Sequence, residues 1–229
     1  MVTHFQKKFI KKFKQHLENS LKTIDIKLSE LQMEQMAEHA SELMTWNQKF
    51  NLTAIKDPAI VAEKHFFDSI AAGSFLGDET SLVDIGSGGG FPGIPLKIMN
   101  PSLKIIMIDA SQKKINFIKH VIRMLKLENM DAVHARVENL KTNEAFFKCF
   151  DGVISRAFTE LERFVDLSLP LLNQNGRIYA MKGKHLEMEM TQALKDRFEY
   201  KINHYPLPFE KADRYVIRLS KKIQPVITP

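Results

Sequence analysis

The run Val83-Asp84-Ile85-Gly86-Ser87-Gly88-Gly89-Gly90-Phe91-Pro92-Gly93 decides how the rest of the chain is read. It follows the short β-prone segment Ser81–Ile85 and leads into a helix. Glycines at a strand-to-helix turn permit positive φ and let a ligand approach the backbone closely. In open α/β sheets, ligands bind beyond the carboxyl ends of the strands where the strand order reverses, and this turn is in that place. A dinucleotide would bring a pyrophosphate, which wants helix N-terminal amides. S-adenosylmethionine instead brings a sulfonium and an ammonium group. Asp84, just ahead of Gly86, suits the cationic ligand and has no reason to stand beside a pyrophosphate. Gly86, Gly88, Gly90 and Phe91 are the candidate cofactor contacts within the turn.

Outward from the turn, strand and helix patterns alternate. Lys104–Ile108 is a strand candidate ending at Asp109, whose carboxylate can accept from two ribose hydroxyls in either cofactor. Ser111 stands at an N-cap position. The apolar stripe Ile115, Ile118, Val121, Ile122 and Leu125 predicts a helix over Lys113–Leu127. Met130–His134, Phe150–Ser155, Gly176–Met181 and Arg214–Leu219 read as further strands. Leu161–Leu172 and about 185–198 read as helices. Such alternation predicts an α/β fold with a mostly parallel sheet, and the closely spaced final strands predict an antiparallel edge.

The first part is helical in pattern. Phe5, Phe9, Phe13 and Leu17 recur every four residues among lysines. Leu28–Leu52 is helical in composition, Asp57-Pro58 breaks it, and a helix restarts at Pro58 and ends at Ala71-Ala72-Gly73. The expected organisation is a helical extension over 1–75 and an α/β domain over 76–229. Of the 229 residues, 44% are hydrophobic and 26% charged, which is ordinary for a soluble globular chain. No apolar run approaches the roughly 20 residues that span a bilayer, and no secretory signal is evident. A single cysteine, Cys149, rules out an intrachain disulfide and fits a cytoplasmic location. The net charge of +6 favours polyanions. The Lys7–Lys14 segment is a candidate for contact with RNA backbone or an anionic surface, or is simply a solvated face.

The run Asp84–Gly93 and the later Ile154-Ser155-Arg156-Ala157-Phe158 resemble the bacterial 16S rRNA guanine-N7 methyltransferases once called glucose-inhibited division protein B. Trp46-Asn47, Asn51-Leu52-Thr53, His65-Phe66-Phe67-Asp68-Ser69 and Lys182-Gly183 match as well, and the similarity runs from about Leu31 to about Leu219. The resemblance implies a Rossmann-like class I methyltransferase fold with an N-terminal helical extension. It implies S-adenosylmethionine as cofactor and N7 of a guanine in 16S rRNA as acceptor, guanine 527 by family naming. By position, Asp84, Gly86, Gly88, Gly90, Phe91, Asp109, Val137, Glu138 and Arg156 would bind the cofactor. Arg156, Lys182, Asn51 and His65 would serve the acceptor side. The implied partner is 16S rRNA in the small ribosomal subunit or its precursor, with no membrane, no obligate protein partner and a monomeric chain.

That chemistry agrees with the residues present. Guanine N7 carries an in-plane lone pair and no proton, so position rather than a general base is required. Arg156 cannot be a base at neutral pH but can meet guanine O6 and N7, a phosphate, or the cofactor carboxylate. Lys182-Gly183-Lys184 can meet RNA phosphates or remain solvated. Cys149 precedes the fourth strand, away from the site, and reads as a buried apolar filler rather than a nucleophile. No metal-ligand spacing, Walker loop or nucleophile elbow is present. The alternatives are a dinucleotide oxidoreductase, a non-enzymatic rRNA-binding or assembly factor on a methyltransferase scaffold, and a small-molecule methyltransferase.

Overall fold

The computed structural model describes residues 4–140, 144–156, 158, 160–183 and 189–222. Helix α1 spans His4–Lys22 and α2 spans Glu30–Phe50. A capping box starts α2: Gln32 N donates to Ser29 Oγ while the Gln32 side chain takes the Ser29 N–H. Asn51 ends it in the left-handed conformation, φ 51°. Asp57 caps the next helix by accepting from Ala59 N and Ile60 N, with Pro58 at the first position. That helix runs as α3 (Pro58–Val61), a π segment (Ala62–Phe67) and α4 (Asp68–Gly73).

Strands β1 (Ser81–Ile85), β2 (Lys104–Asp109), β3 (Met130–His134), β4 (Phe150–Ser155) and β5 (Leu172–Lys182) are parallel. They alternate with α5 (Gly93–Met99), α6 (Gln112–Met124) and α7 (Leu161–Ser168). After α8 (Gln192–Arg197), β6 (Phe198–Leu207) and β7 (Ala212–Lys221) form an antiparallel hairpin, and β7 inserts beside β5. The order is β3-β2-β1-β4-β5-β7-β6. Strand order therefore reverses between β1 and β4, and the crevice that open sheets use for ligands lies there.

Each face of the sheet is covered. On one face Phe13, Leu17, Met36 and Phe66 of the N-terminal helices share a core with Leu82, Ile105 and Phe117. On the other, Val83, Ile85 and Val153 pack with Phe164 and Leu194. Fully burying one such side chain stabilises by about 1.5–3 kcal/mol, so the N-terminal helices are firmly seated.

Four expectations need correction. The helix from Leu161 stops at Ser168, because Pro170 follows and β5 begins at Leu172, four residues before Gly176. Phe198–Leu207 is a full edge strand rather than a helix end, and Pro206 is tolerated there because an edge strand leaves one side unpaired. Ser111 occupies the N-cap of α6 without donating or accepting as a cap. Cys149 is exposed, its thiol 3.2 Å from the Phe147 carbonyl. Lys184 and the expected helix start near 185 lie outside the described residues. Among the described residues no helix is long and apolar enough to cross a membrane.

Candidate active site at the strand carboxyl ends

The glycine turn is held from below. Gly86 N and Ser87 N both donate to the Ile108 carbonyl at 2.8 and 3.2 Å, binding the turn to the end of β2. Gly86, Gly88 and Gly90 take φ of 75°, 57° and 92°, a region that disfavours any side chain. A Cβ on Gly90 would also come within 2.5 Å of Ile94 Cδ1. A Cβ on Gly88 would meet no atom closer than 3.9 Å, so that residue faces open space.

Asp84 lies fully buried beneath this turn and lines none of the three cavities described below. One carboxylate oxygen accepts from Gly93 N at 3.0 Å; the other, Oδ1, has no hydrogen-bond partner. Burial pushes its pKa up to about 7, against the opposing pull of the Gly93 N–H and the Arg156 charge.

The first cavity, about 270 Å³, is lined by Gly86, Asp109, Ala135, Val137, Glu138 and Phe158, among others. Asp109 is anchored rather than free: Oδ2 accepts from Gly88 N at 3.0 Å and Oδ1 from Ser111 N at 2.8 Å. Each oxygen keeps a further lone pair, and the carboxylate faces the cavity. Val137 forms an apolar wall, and Glu138 is held at the rim by Arg163 at 2.9 Å.

The second cavity, about 140 Å³, opens on the other side of Gly86, which lines both. Its walls are Ser87, Gly88, Gly89 and Phe91 of the turn, Leu43, Leu52, Thr53 and His65 of the helical region, and Lys114 and Arg156. Phe91 joins turn and helices. Its ring stacks on His39 at 4.9 Å and on His65 at 4.8 Å, with Phe66 edge-on at 5.0 Å. Burial lowers the pKa of His39 to about 4, against its bond to Gly89. Burial and the nearby Arg156 charge lower that of His65 to about 3. Both rings are neutral at working pH, and His39 Nε2 donates to the Gly89 carbonyl at 2.8 Å.

The third cavity, about 260 Å³, is lined by Asp68, Arg156, Met181, Lys182, Gly183 and Arg214. Arg156 lies on the walls of both the second and third cavities. It donates to the Lys64 carbonyl at 3.0 Å, lies 3.6 Å from Asp68 Oδ2 and caps the Phe91 ring at 5.1 Å. Asp68 also accepts from Tyr205 Oη at 2.9 Å and faces Arg214 at 3.4 Å. The Lys182 ammonium donates to the Phe158 carbonyl at 2.8 Å and pairs with Glu189, so it ties the segment after β4 to the end of β5.

The sequence candidates thus converge except at three positions. Asn51 is exposed and lines none of these cavities; its left-handed backbone turns the chain at the end of α2. Asn47 instead closes the loop, exchanging two hydrogen bonds with Thr53 at 2.8 and 2.9 Å. Gly90 acts through packing against Ile94, and Asp84 through the base of the turn. Leu43, Lys114 and Arg214 line the site but carried no local signal, while Thr53 and Asp68 stood within segments of the family resemblance without being singled out.

A family model described as rRNA small subunit methyltransferase G matches residues 32–217. The chain belongs to this family. A relative from Oceanobacillus iheyensis, named ribosomal RNA small subunit methyltransferase G, is 41% identical over 214 residues, 90% of this chain and 90% of the relative. A same-named protein of Geotalea uraniireducens is 39% identical over 86% of this chain and 92% of its own length. Among solved structures, a predicted O-methyltransferase from Agrobacterium tumefaciens aligns with TM-score 0.58 at 18% identity, covering 69% of this chain and 82% of its own. A SAM-dependent methyltransferase from Aquifex aeolicus aligns with TM-score 0.57 at 13% identity over 75% and 97%. These likenesses, with the sheet order, show the class I methyltransferase fold. Family membership makes the chain an S-adenosylmethionine-dependent rRNA methyltransferase.

Proposed function

We propose that the chain methylates N7 of a guanine in 16S rRNA at the junction of the second and third cavities. The observation that carries this reading is Arg156, a fixed cation on the wall shared by a cavity of the glycine turn and a cavity lined by Lys182 and Arg214.

The residues fit S-adenosylmethionine. The first cavity offers an anchored carboxylate at Asp109 for ribose hydroxyls and the Val137 wall for an adenine face. Gly88 leaves open space beside it, and Asp84 keeps an unpartnered buried oxygen below. A cationic ligand end favours the ionised form of that carboxyl, which burial alone disfavours. The cofactor supplies a methyl already activated by its sulfonium.

The protein's part is to hold and orient. Arg156, fixed by the Lys64 carbonyl and Asp68, presents a charge at the acceptor side and has no proton to lose at neutral pH. Neutral His65, held by Thr53 at 3.0 Å, adds shape without charge. With the cofactor held by Asp109 and Val137, guanine N7 would take the methyl with its lone pair as the sulfonium became a neutral thioether, and the positive charge would pass to the purine beside Arg156. No proton leaves, so the acceptor needs no general base. Lys182 positions the segment after β4 through the Phe158 carbonyl, and Arg214 remains to meet O6 or a phosphate.

In this reading 1–75 is a helical extension that walls the site, 76–229 is the methyltransferase unit, and the chain acts as a cytoplasmic monomer without an obligate protein partner. Mapping 7-methylguanine in 16S rRNA from cells with and without the gene tests it. One methylated guanine should vanish with the gene and return with the wild-type chain. An unchanged methylation map would instead favour a non-catalytic rRNA-binding role.

A further inference from the structure

Phe50 is the last residue of α2, and it is the large aromatic left exposed beside the active site, at 37%. Its ring leans on Trp46 at 5.4 Å, and Trp46 is itself wedged against Phe117 and His120 of α6 at 5.6 and 5.3 Å. Trp46 therefore holds the ring on one side while part of it stays exposed. Lys113 at the start of α6 places its ammonium 6.0 Å from the ring centroid. Lys49 and Lys56 are exposed on either side along the chain, and neither Lys49 nor Lys113 forms an ion pair among the described residues. Two acids of the surrounding segments are already engaged: Glu42 by His120 at 2.8 Å, and Asp109 by two backbone amides and Lys114.

The location gives this patch its meaning. Directly after Phe50 the left-handed Asn51 turns the chain, so that Leu52 and Thr53 line the second cavity. Lys114, next to Lys113, lines the same cavity. Phe50 and Lys113 thus stand just outside the two walls of the site. An A-form duplex hides guanine N7 in a deep, narrow groove, so an acceptor guanine must come from unpaired RNA or be drawn out of its stack. Either event leaves the face of a neighbouring base uncovered.

We infer that Phe50, with Lys113, is a stacking platform for the unpaired nucleotide next to the target guanine; this rests on the rRNA reading above. The ring receives the base face, and Lys113 and Lys49 meet the adjoining phosphates. The partner is RNA rather than protein, since a platform of one aromatic ring among unpaired lysines complements a base on a polyanion.

Two measurements on the full chain test it. In the first, small subunits from cells lacking the gene are methylated by the wild type, Phe50→Ala, Phe50→Trp and Lys113→Gln. Phe50→Ala should raise KM for subunits by about five- to a hundredfold, the range of one lost base stack. Its kcat and cofactor Kd should stay within about twofold, and Phe50→Trp should restore KM. Lys113→Gln should raise KM less, with an effect that fades as salt increases. In the second, the single tryptophan, Trp46, reports directly on its neighbour Phe50. A short unstructured oligoribonucleotide should change Trp46 emission in the wild type and not in Phe50→Ala. A wild-type KM in Phe50→Ala, or an emission change that survives the loss of Phe50, would overturn the platform while rRNA methylation stands. A wild-type protein that transfers no methyl to rRNA would instead remove the reading on which the platform rests.

Discussion

The two ends of this sheet both carry buried charge, and they treat it in opposite ways. At the amino end, the Asp151 carboxylate accepts from Thr80 N and Oγ1, Ser81 N and Oγ, and Asn173 Nδ2, at 2.7–3.0 Å. Desolvation works to raise its pKa, yet these bonds hold it at about 2. Glu79 beside it takes Arg177, Tyr179 and Gly77 N. At the carboxyl end, Asp84 keeps one oxygen unpartnered and is pushed up to about 7, and His39 and His65 each bury a ring nitrogen without a partner. Unpaired buried polar atoms cost free energy, and of these three groups only His65 lines a cavity. The amino end satisfies its charges and holds the strands together; the carboxyl end leaves polar atoms unpaired at and beneath the cavities.

Breaking each end should therefore have a different consequence. The largest effect is expected from Gly86→Asp, which places a side chain between the first two cavities. Methyl transfer should fall by on the order of a hundredfold or more through lost cofactor binding, measured by calorimetry, together with the modest fall in melting temperature that a side chain at φ 75° imposes. At the other end, Asp151→Ala should lower stability by about 1–2 kcal/mol in urea unfolding, because it removes several hydrogen bonds that water only partly replaces, and leave cofactor Kd unchanged. If it weakened cofactor binding as much as it weakened the fold, the division between the ends would fail.

Acid should act mainly on the carboxyl end. The folded pKa of His39 lies below its ordinary value, so between pH 6.5 and about 4 the unfolded chain holds the extra proton. Stability is then fully present above pH 6.5 and declines as pH falls through that window. At pH 5 the loss from His39 is about 2 kcal/mol, which His39→Gln should largely remove from the pH profile. Asp84 has the reverse sign. Its raised pKa leaves stability intact below the usual carboxylate range and reduces it as pH climbs toward about 7. Asp84→Asn should melt at or above the wild type at pH 8, converge with it near pH 4, and bind the cofactor about tenfold less tightly. A variant that melts well below the wild type at pH 8 would show that the carboxylate is structural.

Much of this was legible in the sequence because it is local. The glycine turn, β3 and β4 could be placed to the residue, since apolar runs bounded by breakers report directly on parallel strands. Asp109 and Arg156 were legible as residues ending strands. The unread parts are mostly those set by distant partners. Strand β6 exposes most of its residues, and the apolar–polar alternation of Phe198-Glu199-Tyr200-Lys201-Ile202-Asn203 that marks it as a strand lay unread at the end of the expected helix. The π segment gives no pattern of its own. Asp84 is legible from its position ahead of Gly86, whereas its anchoring below the turn by Gly93 is set only by the fold. Arg214 comes from the last strand, far in sequence from Thr53 and Asp68, and the fold alone brings it to them.

The central claim is that the cofactor lies across Gly86, between the Asp109 cavity and the Arg156 cavity. A crystal structure with S-adenosylhomocysteine tests it most directly. The account predicts ribose hydroxyls on Asp109, adenine against Val137, and the sulfur directed toward Arg156. Ligand density away from Gly86, or an adenine on the Lys182–Arg214 side, would contradict it.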